Sequence, residues 1–430
     1  MFECKPFQVD FARADYSNMV ISKEDTAVLR ELAKQVAEVA ALPVMDEKKK
    51  LWTAHNRLQQ KRPMVLCDPE HGWNEILPEE ILKCKGSIAR HWEFYLRKQL
   101  FWGLEMGDDY IVTNRMKIPY QYSLSPWRLR SNRSHFNQFA AEFNGGAYGI
   151  DEILPDFDLL EELEAPELTV DFDLSKKTFA LAEEVFDGIL QVTPYTYWFW
   201  SDGLANAYVQ IRGLENMMTD FYDYPDEMAQ LLEIIGNNIT GRVEYLEKSG
   251  LLNQNNRDDY AGSGGIGWTD EIPEVEPGTV TRKDMWGLGE AQMTSSVSPE
   301  MWKEFFFPFQ KKYLEKFGLV CFGCCEPMER KFQYIKELPN LRRVSASHWA
   351  NKESLSEQLG KDYIMSIKPT PADLAVEQLD QEYARKNIRH FLDITKNNNV
   401  EFIMKDNHTL CNNPDNIKNW TRIVKEEIGG

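Results

Sequence analysis

Cysteine is scarce in this chain, with seven residues among 430. So few cysteines in a chain of this length do not make a disulfide framework, and the odd count leaves at least one thiol free. A small fold held by disulfides is therefore excluded. The expected location is a reducing compartment, the cytoplasm.

Basic residues are also in deficit, because 49 Lys and Arg stand against 68 Asp and Glu, for a formal net charge of −19 at pH 7. A surface of this charge repels nucleic acids and anionic lipid headgroups. The composition thus argues against nucleic acid and membrane as partners. It suits a soluble enzyme that acts on a neutral or cationic small molecule.

Long hydrophobic runs are lacking as well: nowhere do about 18 apolar residues follow one another, so no membrane span is expected. Residues Met1–Pro6 carry no basic region followed by an apolar one, so no signal peptide is predicted. Apolar residues are nevertheless plentiful, at 43%, with 12 Trp, 17 Tyr and 23 Phe. This content supports a sizeable core, in several domains or in one large α/β barrel.

The C-terminal part of the chain alternates short apolar runs with helical patterns. Four strand–helix units in about 110 residues is the spacing expected for half of a (β/α)8 barrel. The earlier strands, beginning at Arg62–Cys67, would supply the other half with insertions. A doubly wound open sheet is the competing architecture, which periodicity alone does not exclude. The four predicted strands are Leu319–Phe322, Arg342–Ala346, Tyr363–Ile367 and Val400–Met404.

The stretch Gly318–Pro327, with the sequence GLVCFGCCEP, combines a strand with three cysteines and a carboxylate. Two C-x-x-C pairs would indicate a structural zinc site, but only one such spacing is present here. A redox pair normally opens a helix, whereas Cys321 should lie within the strand and is predicted to be a core residue. Cys324 and Cys325 follow the strand, at the turn where ligands usually bind in α/β proteins.

Further metal-binding side chains follow the next predicted strands. Carboxyl ends of parallel strands meet on one face of a barrel, so these residues should converge in space. They form a pool of ligands for a zinc site with an open position, although each one alone is equally compatible with an uninvolved role. The pool is Cys324, Glu326, His348, His408 and Cys411.

Other strand ends and loops offer polar, aromatic and glycine residues. Glu290 is a metal ligand, a general base or a satisfied polar residue. Gly262–Gly267 matches G-x-G-x-x-G but lacks the preceding strand and following helix of a dinucleotide site, so a flexible loop over a pocket is predicted. Several aromatic residues are candidates to wall a flat substrate, although core packing explains most such residues. They are Tyr197, Trp198, Trp200, Trp268 and Trp286.

Three stretches, Phe317–Pro327, Leu338–Val344 and Ile367–Pro369, resemble the uroporphyrinogen decarboxylase superfamily. The closer likeness is to the decarboxylase-like branch that includes corrinoid-dependent methyltransferases. Residues 212–216, 262–265 and 297–300 fit the same branch, and the resemblance spans about Leu174 to Gly430. It implies a (β/α)8 TIM barrel over residues 63–430 with an N-terminal helical extension over residues 1–62.

Two activities of that superfamily lead to different expectations. The decarboxylases carry an arginine-rich motif near the first strand, whereas Lys61–Glu70 here offers acids, a poor receptor for an octacarboxylate. The methyltransferases bind zinc through a His-x-Cys pair and a cysteine near the last strand. Phe322 replaces that histidine here, while Cys324 and Cys411 match. The resemblance leaves Cys325, Glu326, His348 or Glu290 to complete the ligand set.

The resemblance implies a zinc-dependent methyltransferase that moves a methyl group between a small methylated substrate and the cobalt of a small corrinoid (cobalamin) protein. Zinc would be the Lewis acid, with Glu290 or Asp406 handling a proton. An aromatic methyl ether is one candidate substrate. The alternatives are a metal-free carboxy-lyase and a non-catalytic ligand-binding barrel, and a homodimer is one open assembly. Predicted substrate contacts are Trp200, Trp268, Trp286 and Lys368.

Overall fold

The computed structural model of the chain describes residues 19–134, 152–196, 201 and 203–429. Its helices and strands alternate through most of this length. The strands are β1 Met64–Cys67, β2 Arg115–Pro119, β3 Gln121–Leu124, β4 Arg128–Leu129, β5 Leu163–Glu164, β6 Leu168–Asp171, β7 Gln191–Tyr195, β8 Trp286–Gly289, β9 Leu319–Phe322, β10 Leu341–Ala346, β11 Ile364–Ile367 and β12 Asn399–Met404.

Fourteen α-helices occur among the described residues. They are α1 Lys23–Ala40, α2 Pro43–Asn56, α3 Trp73–Ile76, α4 Ser87–Phe101, α5 Phe172–Phe186, α6 Leu204–Arg212, α7 Leu214–Asp223, α8 Pro225–Lys248, α9 Pro299–Phe305, α10 Phe307–Leu314, α11 Phe332–Ile335, α12 Lys352–Leu359, α13 Gln381–Ile394 and α14 Asp415–Glu427. Within the described part of the chain, no helix has both the length and the apolar composition of a membrane span.

A six-stranded parallel sheet forms the centre of the fold, in the order β1-β12-β11-β10-β9-β8. Strands β2 and β7 form a separate parallel pair, while β3–β6 and β4–β5 are antiparallel pairs. Helices separate successive strands of the large sheet, as parallel connections require. The predicted α/β class is confirmed.

Two contacts join the β2–β7 pair to the edges of the six-stranded sheet. Ser201, shortly after β7, forms a parallel bridge with Leu288 of β8. Asp109, shortly before β2, donates its backbone N–H to the carbonyl of Val65 in β1 at 2.8 Å. The pair therefore reaches both edges of the large sheet.

The four C-terminal strands lie within one residue of their predicted ends, because each is a short apolar run between turns and is largely buried. The N-terminal half differs more. The expected N-terminal helical extension contains two helices, α1 and α2, and Pro43 opens the second. After β1 the next strand is β2, which begins only at Arg115, beyond α4.

Helix α2 belongs to the surroundings of the large sheet. Trp52 donates its indole N–H to the carbonyl of Asp109 at 2.8 Å, and His55 contacts the Glu401 carboxylate of β12 at 3.1 Å. Both α2 side chains are fully buried. The end of the N-terminal helical segment thus packs directly on the strands.

The glycine-rich stretch is not the predicted flexible loop over a pocket; it is a buried segment packed against one face of the large sheet. A Cβ on Gly264 would lie 2.8 Å from Nζ of Lys368. A Cβ on Gly265, whose φ is +78°, would lie 2.6 Å from Oε2 of Glu401. Only residues without a side chain allow the backbone to approach these strands so closely. No helix directly follows Gly267, whereas the dinucleotide-binding motif has a helix at that place.

Candidate active site at the carboxyl ends of the parallel strands

Polar side chains follow every strand of the six-stranded sheet. Because all six strands are parallel, their carboxyl ends lie along one edge, here called the carboxyl edge. Ligands of α/β proteins bind at this edge. The polar residues there are Asp68 and Glu70 after β1, Glu290 after β8, Cys324 to Glu326 after β9, His348 after β10, Lys368 after β11, and Lys405 to His408 after β12.

Two thiols stand side by side at the end of β9. Their Sγ atoms, on Cys324 and Cys325, are 3.7 Å apart, and both residues are partly exposed. Gly323, with φ of +98°, turns the chain out of the strand just before them. Cys321 is fully buried within the strand, as predicted. Both cysteines beyond the strand are therefore present at the carboxyl edge.

Glu326 holds this turn in place. The residue is 0% exposed, and its two carboxylate oxygens accept the backbone N–H groups of Ala291 at 2.7 Å and of Cys324 at 2.9 Å. These bonds tie the end of β8 to the end of β9. The carboxylate is thus occupied by backbone donors, which is the arrangement of a structural clamp.

Three serine hydroxyls donate to carbonyl groups of the same turn. Ser263, from the buried glycine loop, donates to Gly323 at 2.8 Å. Ser345 donates to the Cys324 carbonyl at 2.9 Å, and Ser347 donates to the Glu326 carbonyl at 3.2 Å. With the Glu326 carboxylate, these bonds fix the backbone of the thiol pair from several directions.

Lys405 and two acids form a second group at the carboxyl ends of β1 and β12. Its Nζ lies 3.6 Å from Oε1 of Glu70 and 3.6 Å from Oδ1 of Asp406, and the lysine side chain is 2% exposed. Both acids have positive φ, +49° and +61°. Such backbone strain in residues other than glycine concentrates at functional sites.

Burial gives Glu70 an unusual pKa. Desolvation is the largest effect and, against the opposing attraction of Lys405, it raises the pKa of this carboxyl to about 7. A carboxyl with such a pKa can exchange a proton near neutral pH. Sequence reasoning placed Glu70 at a strand end without assigning it a role; its position after β1, opposite the lysine after β12, was the available signal.

The pKa values of two further groups at this edge, the Cys324 thiol and the His348 imidazole, are also shifted. The hydrogen bond with Cys325, then burial, raise the pKa of the Cys324 thiol well above its usual value, while Lys405 lowers it. Burial and then Lys352 lower the pKa of the half-buried His348 imidazole, while Asp406 raises it. The carboxyl edge thus holds both the Cys324 thiol, whose pKa is raised, and the Glu70 carboxyl, whose pKa is about 7.

The five predicted zinc ligands are not assembled into one site. Glu326 meets Cys324 only through the backbone bond described above. His408 is exposed and stacks on His71, with ring centroids 5.6 Å apart, and Cys411 is exposed farther along that loop. Within the described ranges, no group of three His, Cys, Asp or Glu side chains is arranged to hold a metal. These residues, as arranged, do not fit a zinc site.

The predicted proton-handling residues lie near buried cations. Glu290 is buried, and its carboxylate accepts the backbone N–H of Gln292 at 2.7 Å. Burial lowers the pKa of the neighbouring Lys331 to about 8, against the attraction of Glu326 and Glu290. Asp406 is the other candidate, and it contacts Lys405 as described.

Lys368 follows β11 but turns toward the interior of the fold. Its Nζ donates to the hydroxyl of Ser366, and burial lowers its pKa to about 8. Gly264 packs directly over it. Its predicted substrate contact is therefore not supported, because the glycine loop covers the amine.

The face beneath that loop carries a buried ion network. Glu401 contacts Nε of Arg343 at 3.0 Å and His55 at 3.1 Å, and it accepts a hydrogen bond from Ser366. Burial raises the pKa of Glu401, but Arg343 and His55 outweigh it and hold the value at about 2. All four side chains of this network are buried, so we interpret it as stabilising the fold.

Neither of the two described residues of the predicted aromatic wall, Trp268 and Trp286, lies at the carboxyl edge. Trp286 opens β8, at the opposite edge, is buried, and donates its indole N–H to the carbonyl of Gly267 at 3.0 Å. Trp268 lines a cleft of about 510 Å³ beside Arg115 and Gln191, the first residues of β2 and β7. The sequence alone does not show at which end of a strand Trp286 and Trp268 lie, so their predicted substrate contacts could not be checked without the structure. Tyr197, Trp198 and Trp200 lie outside the described residues.

Comparisons with known proteins add little to these observations. No protein-family model and no curated protein matches the chain. Among solved structures, a methyltransferase from Methanosarcina mazei is similar with a TM-score of 0.33 and 10% identity, over 61% of this chain and 73% of that chain. At so low a TM-score, fold and function have to be argued from the residues of this chain.

Proposed function

We propose that the chain is a methyltransferase that moves a methyl group between a small methylated substrate and the cobalt of a separate corrinoid protein. The observation that carries the proposal is the position of Cys324. Its thiol lies at the carboxyl end of a parallel strand, on a turn fixed by Glu326, where the resembling methyltransferases carry a functional cysteine. An aromatic methyl ether is one candidate substrate.

We also propose that the eight parallel strands close into a (β/α)8 barrel. The six-stranded sheet and the β2–β7 pair together supply eight strands in chain order. The bridge between Ser201 and Leu288 and the hydrogen bond between Asp109 and Val65 lie at the two places where closure requires contact. Closure would place all strand ends around one opening, with Cys324 and Glu70 facing the same space.

Residues of this chain can supply the proton that methyl removal requires. The demethylated alcohol, amine or thiol leaves as a neutral molecule only if its heteroatom gains one proton. Glu70, with a pKa of about 7, can donate it, and Lys405 at 3.6 Å can orient the carboxyl. No step is assigned to zinc, because the described residues do not assemble a ligand set for it.

Methyl transfer to free reduced cobalamin tests the proposal. Purified protein would be incubated with methyl ethers, methylamines and methyl thiols, and methylcobalamin would be followed by its absorption spectrum. We expect one substrate class to give methylcobalamin, and metal analysis of the same sample tests the zinc prediction separately. Protein that produces no methylcobalamin, with free cobalamin or with corrinoid proteins, would contradict the proposed reaction.

A carboxy-lyase is the second candidate, and the Glu70–Lys405 pair is the observation that favours it. The lysine can hold a substrate carboxylate, and the neighbouring acid can protonate the carbon that loses carbon dioxide. This activity predicts release of labelled carbon dioxide from a small carboxylated substrate without any corrinoid. Tight binding of a ligand with neither product would instead indicate a non-catalytic barrel.

A further inference from the structure

We propose that Cys324 and Cys325 are a reversible redox site, in which the two neighbouring thiols are oxidised to an intramolecular disulfide. This inference goes beyond the proposed function and does not depend on it. It starts from the distance between the two Sγ atoms, 3.7 Å, which places the sulfurs in contact. Among the cysteines that the structure describes, no other two thiols are in contact.

The arrangement favours a disulfide over a metal. Glu326, which bonds the backbone N–H of Cys324, already accepts one backbone N–H group on each of its two carboxylate oxygens, so its side chain is engaged in holding the turn. Throughout the described part of the chain, no third His, Cys, Asp or Glu completes a metal site. Two thiols in contact and partly exposed to solvent can instead react with each other through an oxidant.

The oxidant class is a small-molecule disulfide, and the exchange balances. One protein thiolate attacks a sulfur of the small disulfide, which forms a mixed disulfide and releases the first small thiol. The second protein thiolate attacks the protein sulfur of that mixed disulfide, forms the Cys324–Cys325 bond and releases the second small thiol. The two protons of the cysteines end on the two released thiols, and the two electrons reduce the oxidant.

Either thiol can begin the exchange, because both cysteines are partly exposed. The other Sγ atom, at 3.7 Å, is then close enough to resolve the mixed disulfide.

The product should be easily reduced. Consecutive Cα atoms are about 3.8 Å apart, less than the roughly 4.4–6.8 Å that most disulfides span, so a bond between adjacent residues is strained. Strained disulfides have more oxidising potentials and are the labile, regulatory kind. The bonds from Ser345 and Glu326 hold the reduced turn, and they oppose the rearrangement that oxidation needs. The pair is therefore poised to return to its reduced form.

Mass spectrometry of the folded protein tests the proposal. The native protein would be treated with bis(2-hydroxyethyl) disulfide, quenched in acid and cleaved with trypsin. Residues 317–330 form one tryptic peptide that holds Cys321, Cys324 and Cys325. We expect this peptide to lose two hydrogens, about 2 Da, without retaining half of the oxidant. Dithiothreitol should restore the original mass.

Matched variants identify the partners. Cys321→Ser keeps the pair and should still lose two hydrogens, which separates this bond from a Cys321–Cys324 bond. Cys324→Ser should instead retain half of the oxidant on Cys325, because the resolving thiol is missing. The proposal would be overturned by a wild-type peptide that keeps half of the oxidant or stays unmodified. It would also be overturned if the Cys321→Ser peptide failed to lose two hydrogens. If Cys321→Ser fails to fold, Cys321→Ala makes the same distinction.

Discussion

Glu70 and Lys405 lie side by side at the carboxyl ends of two neighbouring parallel strands, with Oε1 and Nζ 3.6 Å apart. Burial raises the pKa of the carboxyl to about 7, although the lysine opposes this shift. Both Glu70 and the adjacent Asp406 adopt positive φ. A titrating acid, a buried cation and local backbone strain therefore coincide at the edge where the thiol pair also lies.

The rate of methyl transfer should fall as pH rises through about 7. Glu70 is protonated and able to donate below its pKa of about 7, and it is ionised above that value. In Glu70→Gln the fall of the rate with rising pH should disappear, and the rate at low pH should drop roughly 100-fold. Rates across the pH range measure this. Glu79→Gln, at a side chain 90% exposed, is the matched control and should keep the wild-type profile.

Glu326→Gln should destabilise the fold by roughly 2 kcal/mol, because a charged acceptor of two backbone N–H groups is lost and one N–H then faces an amide donor. Both partners, on Ala291 and Cys324, are within 2.9 Å of the carboxylate. Urea denaturation measures the free energy of unfolding. Glu357→Gln, at an exposed position of α12, is the control and should change it little. Equal stability of the two variants would remove the clamp role from Glu326.

Gly264→Ala should destabilise the protein by about 1–3 kcal/mol through overpacking. The added methyl would lie 2.8 Å from Nζ of Lys368 and 3.0 Å from Ile403. Gly241→Ala is the matched control: it lies in α8 with no atom within 4 Å, and it should be neutral or stabilising. Thermal or urea unfolding compares the two variants. A tolerant position 264 would mean that the glycine loop is not packed against the sheet.

The Glu401 network should make stability depend on acid pH. Arg343 and His55 hold the pKa of Glu401 at about 2, below the ordinary value of 4.5. The unfolded chain therefore binds the proton first, so this contribution is present above about pH 4.5 and is lost as pH falls toward 2. It amounts to about 3 kcal/mol. Unfolding free energies across this window should fall less steeply in Glu401→Gln; an unchanged slope would contradict the assignment.

The C-terminal strands could be predicted from sequence because each is a local apolar run bounded by turns, which identifies β9 to β12 without knowledge of their neighbours. The convergence of their carboxyl ends follows from parallel pairing alone. Cys321 could likewise be assigned to the core from its place within the strand. These inferences need only local pattern and one topological rule.

Other predictions depended on tertiary placement. A glycine-rich stretch has the same local sequence pattern whether it is mobile or packed against a sheet. The close approach of Gly264 to Lys368 could therefore not be predicted from the sequence. Trp286 belongs to a buried strand, but whether it faces the carboxyl edge depends on where β8 begins. His408 and Cys411 follow β12, yet their loop leaves both exposed. Sequence spacing does not encode these directions.

The most direct test of the account follows a ¹³C-labelled methyl group from the substrate to cobalamin in wild-type protein and in Cys324→Ala. Cys84→Ser, a buried cysteine that contacts the Asp25 carbonyl in the N-terminal helical region, is the matched control. Labelled methylcobalamin is expected with wild type and with Cys84→Ser, and a rate lower by roughly 100-fold or more is expected in Cys324→Ala. Undiminished label transfer by folded Cys324→Ala would contradict it.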